Sequence, residues 1–357
     1  VKCFAERDII YDSEKEQWDS EKQCGEIGCP HVPLSISSSC QPPKSKVLSM
    51  LDKIWREQYL NFAESFAVCY SGAIMRKTWK EVGLGTLSLL AVILVIVATH
   101  PVLPHLPHMV GGILLALSLL ATFIACAKWI ERRTPSELDL HHFLPEMAIG
   151  LVIGFGLFAI SMTILWAIGV YRPAGAGTTY GLARGLVAAL VAGVLEEIVF
   201  RGLLFRLSSK ILGTWGALLF TAALFGAAHA FNRGATVGSS LAIAIEAGIL
   251  LAAAYAATER LWLPMGLHIG WNFTEGSIFS MSVSGNSLSG GLIQGSLSGP
   301  RILTGGQFGP EASIVAVIIC LLASLYFIHR ITTLHRVQPP VWKSAQHLAP
   351  VVAATLG

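Results

Sequence analysis

The chain has 357 residues, of which 53% are hydrophobic and 13% charged, with a formal net charge of +3. A charged share about half that usual in soluble domains excludes an ordinary soluble globule. So small a net charge, with no basic stretch interleaved with aromatics, excludes nucleic acid as a partner. The partners left are the lipid bilayer and substrates borne on it.

Residues 1–74 differ from the rest. Acidic and basic residues are mixed there, a Pro/Ser/Cys stretch surrounds Cys24 to Lys46, and no apolar periodicity is sustained. Such a segment can hardly bury a core. Five of the seven cysteines lie in it, Cys3, Cys24, Cys29, Cys40 and Cys69. With His31 they raise the idea of a zinc knuckle, but the spacing fits none of the usual paired-ligand patterns. Met75-Arg76-Lys77-Thr78-Trp79-Lys80 reads like a natural bacterial start, so 1–74 is expected to be a disordered upstream extension or a gene-calling artefact. It is not a secretory signal, lacking an apolar core with a cleavage site.

Runs of about twenty apolar residues place eight spans and an all-α polytopic membrane fold. They are Val82 to Ala98, Met109 to Ile130, Met147 to Val170, Leu182 to Phe205, Leu212 to Phe231, Ser240 to Ala257, Leu261 to Met281 and Ala312 to Ile331. Only Glu259 and Arg260 separate the sixth from the seventh. Gly150 and Gly154 either let neighbouring helices approach closely or merely fill space. Pro264, with Gly266 and Gly270, is expected to open the seventh helix locally. The Ser/Gly-rich stretch Ser280 to Gly299 reads as a flexible connection, and Cys126 and Cys320 as inert packing residues. Residues 75–335 form the membrane domain and 336–357 a short tail.

Orientation follows from Lys and Arg in the short loops. Arg76, Lys77 and Lys80 precede the first span, Lys128, Arg132 and Arg133 follow the second, Arg206 and Lys210 follow the fourth, and Arg260 and then Arg330, Arg336 and Lys343 continue the alternation. Arg172, Arg184, Arg233 and Arg301 fall on the other side. Both termini are therefore expected in the cytoplasm of a prokaryotic cell membrane.

Ionisable residues at membrane depth mark function by default, and the fourth span carries Glu196, Glu197 and Arg201. Residues four apart share a helix face, so Glu197 and Arg201 can pair and leave Glu196 as the freer carboxylate, suited to act as a general base. A purely architectural ion network is the competing reading of this cluster. Phe225 and His229 share a face in the fifth span, as do His268 and Asn272 in the seventh. Imidazole and carboxamide can donate to a developing oxyanion, and Glu196, His229 and His268 could instead hold a divalent metal such as zinc that activates water. Either chemistry hydrolyses a peptide bond.

EExxxR, FxxxH and HxxxN in this order on successive membrane segments resemble the CPBP family, the type II CAAX prenyl endopeptidase and bacteriocin-processing proteins also called Abi. Glu131-Arg132-Arg133-Thr134-Pro135-Ser136-Glu137-Leu138 is similar too. The resemblance spans about Met75 to Ile331, with its motif core from Leu182 to Asn272. It implies an intramembrane endopeptidase acting on a membrane-anchored peptide or protein. By that resemblance Glu196 activates water, Glu197 and Arg201 assist and orient, His229, His268 and Asn272 bind the water or oxyanion, and Phe225 lines the substrate pocket. The family has been described both as metalloproteases and as metal-independent glutamic proteases; the absence of HExxH excludes the commonest zinc-protease pattern.

A rhomboid-type serine protease is disfavoured, because the serines of 280–299 have no GxSxG context. A proton-coupled transporter lacks a paired repeat. A scaffold or immunity protein using the same fold without cleavage is the other alternative. Counted from the cytoplasmic span ends at 1.5 Å per residue, His229 lies deeper than Glu196 or His268. The fifth helix should then start later or tilt strongly, and the cavity is expected to open toward the cytoplasm.

Overall fold

The computed structural model describes residues 72, 75–102, 105–287 and 290–344. The cysteine-containing segment expected to be an extension, with its conceivable zinc knuckle, lies outside the described residues, as does most of the tail beyond Ser344.

Helix α1 runs Met75–Thr99 and α2 His108–Ala125, prolonged by a π-helical turn Cys126–Ile130. Helix α3 is Phe143–Ala167. Helix α4 is Tyr180–Glu197, and a π-helical stretch Ile198–Phe205 carries it directly into α5, Arg206–His229. Helix α6, Val237–Ile243, passes through a π stretch Ala244–Ile249 into α7, Leu250–Thr258. Helix α8 is Trp262–Phe273, followed by a π turn Thr274–Ile278, and α9 and α10 are Arg301–Thr304 and Ile314–Thr333. Two small antiparallel pairs accompany them: β1 Tyr171–Ala176 with β4 Ile293–Leu297, and β2 Ser282–Val283 with β3 Asn286–Ser287.

Among the described residues five segments are long and apolar enough to cross a membrane: Met75–Thr99, His108–Ile130, Ser136–Ala167, Val237–Thr258 and Ile314–Thr333. The chain is an all-α polytopic membrane protein, although eight crossings are not reached by this measure. The shortfall falls on the helices that carry the motifs. Helix α8 is short, and α4 and α5 hold Glu196, Glu197, Arg201, Arg206 and Lys210 within their run. Outward faces such as Leu90, Leu94, Val152 and Leu322 are exposed, as lipid contact requires, whereas Leu250 to Ala257 of α7 are buried throughout.

Helix α3 packs most extensively on α8, and glycine makes that possible. A Cβ on Gly150 or Gly154 would run into the backbone of Leu263 or Leu267, and one on Gly266 or Gly270 into that of Met147 or Leu151. The reading of Gly150 and Gly154 as close-approach residues therefore holds over mere filling. The expected opening of α8 does not occur. Pro264 sits in its first turn, where a missing N–H costs no helical bond, and Gly266 and Gly270 serve the packing instead.

The α4–α5 run contains one break, at Gly213 (φ 71°, ψ 176°), a left-handed φ that favours glycine. The fourth helix thus continues to Leu212, beyond the expected end at Phe205. This removes the depth conflict. Glu196 and His229 lie almost equally far from Gly213, about 25 Å at 1.5 Å per residue, so a hairpin folded there brings them level. Helix α8 starts beside Gly202, whose neighbourhood includes the Leu261 side chain, and not beside the hairpin tip.

Bonds between loops define the two ends of the bundle. At the hairpin end Arg206 pairs with Glu131 (2.8 Å), Arg260 Nε with Glu146 (2.8 Å) and Lys210 with Glu81. There Thr214 N also donates to Gln338 O at 3.0 Å. Glu259, left-handed at φ 58°, ends α7 there, so the uncertain boundary between the sixth and seventh spans is a real turn. At the other end β1 pairs with β4, Asn232 Nδ2 donates to Ser284 O (3.0 Å) and Gly285 N to Phe308 O (2.6 Å). The Ser/Gly-rich stretch consequently holds three anchored strands, β2, β3 and β4, over its described residues and is not a loose connection. Cys126 and Cys320 are buried free thiols, as expected of packing residues.

Burial works against the Glu131 carboxylate, but Arg133 (2.7 Å) and Arg206 outweigh it and hold its pKa below the usual range. A lowered folded pKa contributes stability above the unfolded value of about 4.3, lost as pH falls through the folded one. Thermal unfolding in detergent should show Glu131→Gln destabilising at pH 7 and the deficit shrinking under acid conditions. Gly154→Val should destabilise by about 1–3 kcal/mol or more, the range for overpacking, because the obstacle is backbone. Gly156→Ala, where a Cβ meets nothing, should leave the melting temperature unchanged.

Candidate active site

Every polar motif residue comes from a helix, and π-helical stretches follow or carry the key positions. The π stretch after Glu197 widens α4, and the one between α6 and α7 turns the Ala247 and Gly248 carbonyls to an outside donor. Such turns often accompany functional sites.

Glu197 and Arg201 are sealed in, 0% and 1% exposed. Arg201 Nη1 donates to Glu197 Oε1 at 2.8 Å, as the spacing of four predicts. Its Nη2 donates to Ala247 O (2.9 Å) and Gly248 O (3.3 Å), and its guanidinium lies 4.7 Å from the Phe225 ring centre, within cation–π range. Glu197 Oε1 also accepts from His268 Nδ1 at 2.9 Å. His229 Nδ1 meets Phe225 O at 2.8 Å. With both Nδ1 atoms engaged in this way, Nε2 is the ring nitrogen that each histidine turns toward Glu196.

Glu196 points away from this network, as expected of the freer carboxylate. Its Oε2 is 3.9 Å from His229 Nε2 and 4.0 Å from His268 Nε2. The carboxylate borders a cleft of about 510 Å³ whose walls include Gly185, Ala188, Ala192, His229, His268 and Asn272. The structure thus gathers Glu196, His229, His268 and Asn272 around one space. Phe225 does not border that cleft. It lies beneath His229 and Arg201, 1% exposed, beside a small cavity of about 30 Å³, while Phe200 borders the cleft itself.

The donor set has the chemistry of a zinc site, but its spacing does not match one. Ligands about 2.0–2.1 Å from a tetrahedral zinc lie roughly 3.3 Å apart, closer than the 3.9 and 4.0 Å found. Among the described residues no trio of His, Cys, Asp or Glu is set to hold a metal ion.

Two sets of residues at the site were missed in the sequence. Asn232 and Ser284 form the rim of the cleft, and loop residues of this kind carry no spacing signal. Behind the histidines, Glu246, Glu275 and Glu311 are 2%, 0% and 2% exposed. Glu311 Oε1 accepts from Ser284 N at 2.6 Å, Glu246 and Glu311 border the small cavity, and Glu246 and Glu275 retain oxygens without a hydrogen-bond partner. Glu246 and Glu275 lie in apolar runs, so the rule that singled out Glu196 would have found them.

Breaking a buried ion pair leaves an uncompensated charge. Arg201→Met should lower unfolding stability in detergent by about 3–5 kcal/mol, whereas Glu196→Gln, at the partly open cleft, should leave it nearly unchanged. That contrast separates an architectural network from a reactive carboxylate.

Residues 178–274 match the family model described as Type II CAAX prenyl endopeptidase Rce1-like. That stretch contains all three motifs and supports the CPBP resemblance read from them. No curated protein and no solved structure matches the chain.

Proposed function

We propose that the chain is an intramembrane endopeptidase in which Glu196 activates water to hydrolyse a peptide bond of a membrane-associated substrate. The observation that carries this reading is the convergence of Glu196 Oε2 with His229 Nε2 and His268 Nε2 at 3.9 and 4.0 Å on the wall of the cleft. One water oxygen bridges such separations with hydrogen bonds of about 2.8 Å. One proton of this water is held by the Glu196 carboxylate, which takes it as general base, and the other is held by an imidazole Nε2. The water oxygen bonds to the carbonyl carbon, and the Asn272 amide donates to the developing oxyanion. Collapse breaks the C–N bond as Glu196 returns its proton to the leaving nitrogen, giving a carboxylic acid and an amine with no net proton change. Glu197 and Arg201 hold His268 in its tautomer and do not reach the substrate.

Because the spacing does not match a resident metal, no step is assigned to one. The proposed setting is a cell membrane with both termini cytoplasmic and a membrane-anchored polypeptide as substrate. A non-catalytic scaffold would need the buried network but not a free Glu196.

Purified full-length protein should cleave members of a quenched fluorescent peptide library in detergent or bilayer. Glu196→Gln should lose activity by on the order of 10²–10⁴, the usual contribution of a general base, and His229→Ala should fall comparably. Activity should survive a chelator; loss with chelator and recovery with zinc would replace the glutamate mechanism by a metal one. Folded wild type that cleaves nothing, while Glu196→Gln behaves identically, would sink the protease reading.

A further inference from the structure

We infer that the cleft is entered from the face of the membrane opposite the basic loops, so that the substrate is a membrane-anchored polypeptide presented on the non-cytoplasmic side. This rests on reading the cleft as the protease site. Two expectations, a cavity open to the cytoplasm and basic loops in the cytoplasm, cannot both hold in this structure. The basic residues Arg132, Arg133, Arg206, Lys210, Arg260 and Arg336 belong to the hairpin end, where bonds to Glu131, Glu137, Glu146, Glu81 and Ala257 tie most of them together. The cleft extends the other way.

Its wall follows α4 from Glu196 back to Gly185, about 16 Å at 1.5 Å per residue, and its rim is made by Asn232, Val283, Ser284 and Asn286. These rim residues sit in the loops that define the opposite end, through the Asn232 to Ser284 hydrogen bond and the pairing of β2 with β3. Toward the hairpin end the route is shut. The π stretch of α4 packs against α5 and α7, with Phe205 against Tyr255 at 5.5 Å between ring centres and Arg201 bonded across to Ala247. Nearer the cleft, the first part of α4 packs on α2 and α8, so α4 and α5 diverge as the arms of a wedge.

Lys and Arg in short loops set orientation, and the cleft end carries only Arg172, Arg184, Arg233 and Arg301 among the described residues. The wedge therefore faces outward. Gly185, Ala188 and Ala192 give it an apolar wall that admits an extended chain, and Asn232, Ser284 and Asn286 supply polar groups at the mouth. A segment leaving the outer end of a membrane anchor has both features.

The test uses the full chain with its native cysteines replaced by serine and one cysteine restored by Ser287→Cys, Ala188→Cys or Val337→Cys. A membrane-impermeant maleimide added to intact cells should label the first two, at the mouth and inside the cleft, and should reach Val337→Cys only after permeabilisation. The reverse pattern would overturn the inference, as would Ala188→Cys that stays unlabelled while Ser287→Cys reacts. Cleavage by solubilised protein has no sides. Failure there with the labelling intact would defeat the protease reading alone, and inward labelling with cleavage intact would defeat the sidedness alone.

Discussion

A guanidinium enclosed in an apolar bundle needs partners of its own, and Arg201 finds them on three elements. Glu197 takes its charge on the same helix, the Ala247 and Gly248 carbonyls take its second nitrogen from the π stretch ahead of α7, and Phe225 of α5 covers it. Through Glu197 the same network fixes His268 on α8. An unpaired buried charge costs several kcal/mol, so these elements are held in one arrangement. Glu196, one residue away, is left outside the network by helical geometry, since adjacent residues diverge by about 100°. The fixed frame and the free carboxylate are thus two consequences of one pair of adjacent glutamates.

Around that frame the packing is set by residues with little or no side chain. The glycines of α3 and α8 bring two backbones into direct contact, and the alanine run of α7 threads the centre of the bundle. In lipid there is no hydrophobic drive between helices, and close van der Waals packing takes its place. Rigidity there fixes the places of His268 and Asn272, which α8 carries to the cleft.

Much of this was legible in the sequence. Apolar runs gave the helices, since a membrane requires them to be long and uninterrupted, and the four-residue spacings gave the Glu197–Arg201 pair and the Phe225–His229 contact. What was not legible depended on partners remote in sequence. Pro264 could be read as a helix opener only while its place in the first turn of α8 was unknown. The fourth span ends at Phe205 in the sequence reading because Arg206 and Lys210 look like a loop, when ion pairs to Glu131 and Glu81 let the helix continue. That error shortened the fourth helix and created an apparent mismatch in depth. Glu246 and Glu275 were visible but unsupported by any motif, and Glu311 joins them only through folding.

The hairpin at Gly213 also acts as a lever. Its apex is gripped by Gln338 through two hydrogen bonds with Thr214, while Glu196 and His229 ride on its arms about 25 Å away. A change of about 5° in the angle between those arms shifts one residue against the other by roughly 2 Å at that radius. Two ångströms separates a water held between both groups from one held by neither. Gln338, in the chain that follows α10, thus braces the apex of the two arms that carry Glu196 and His229.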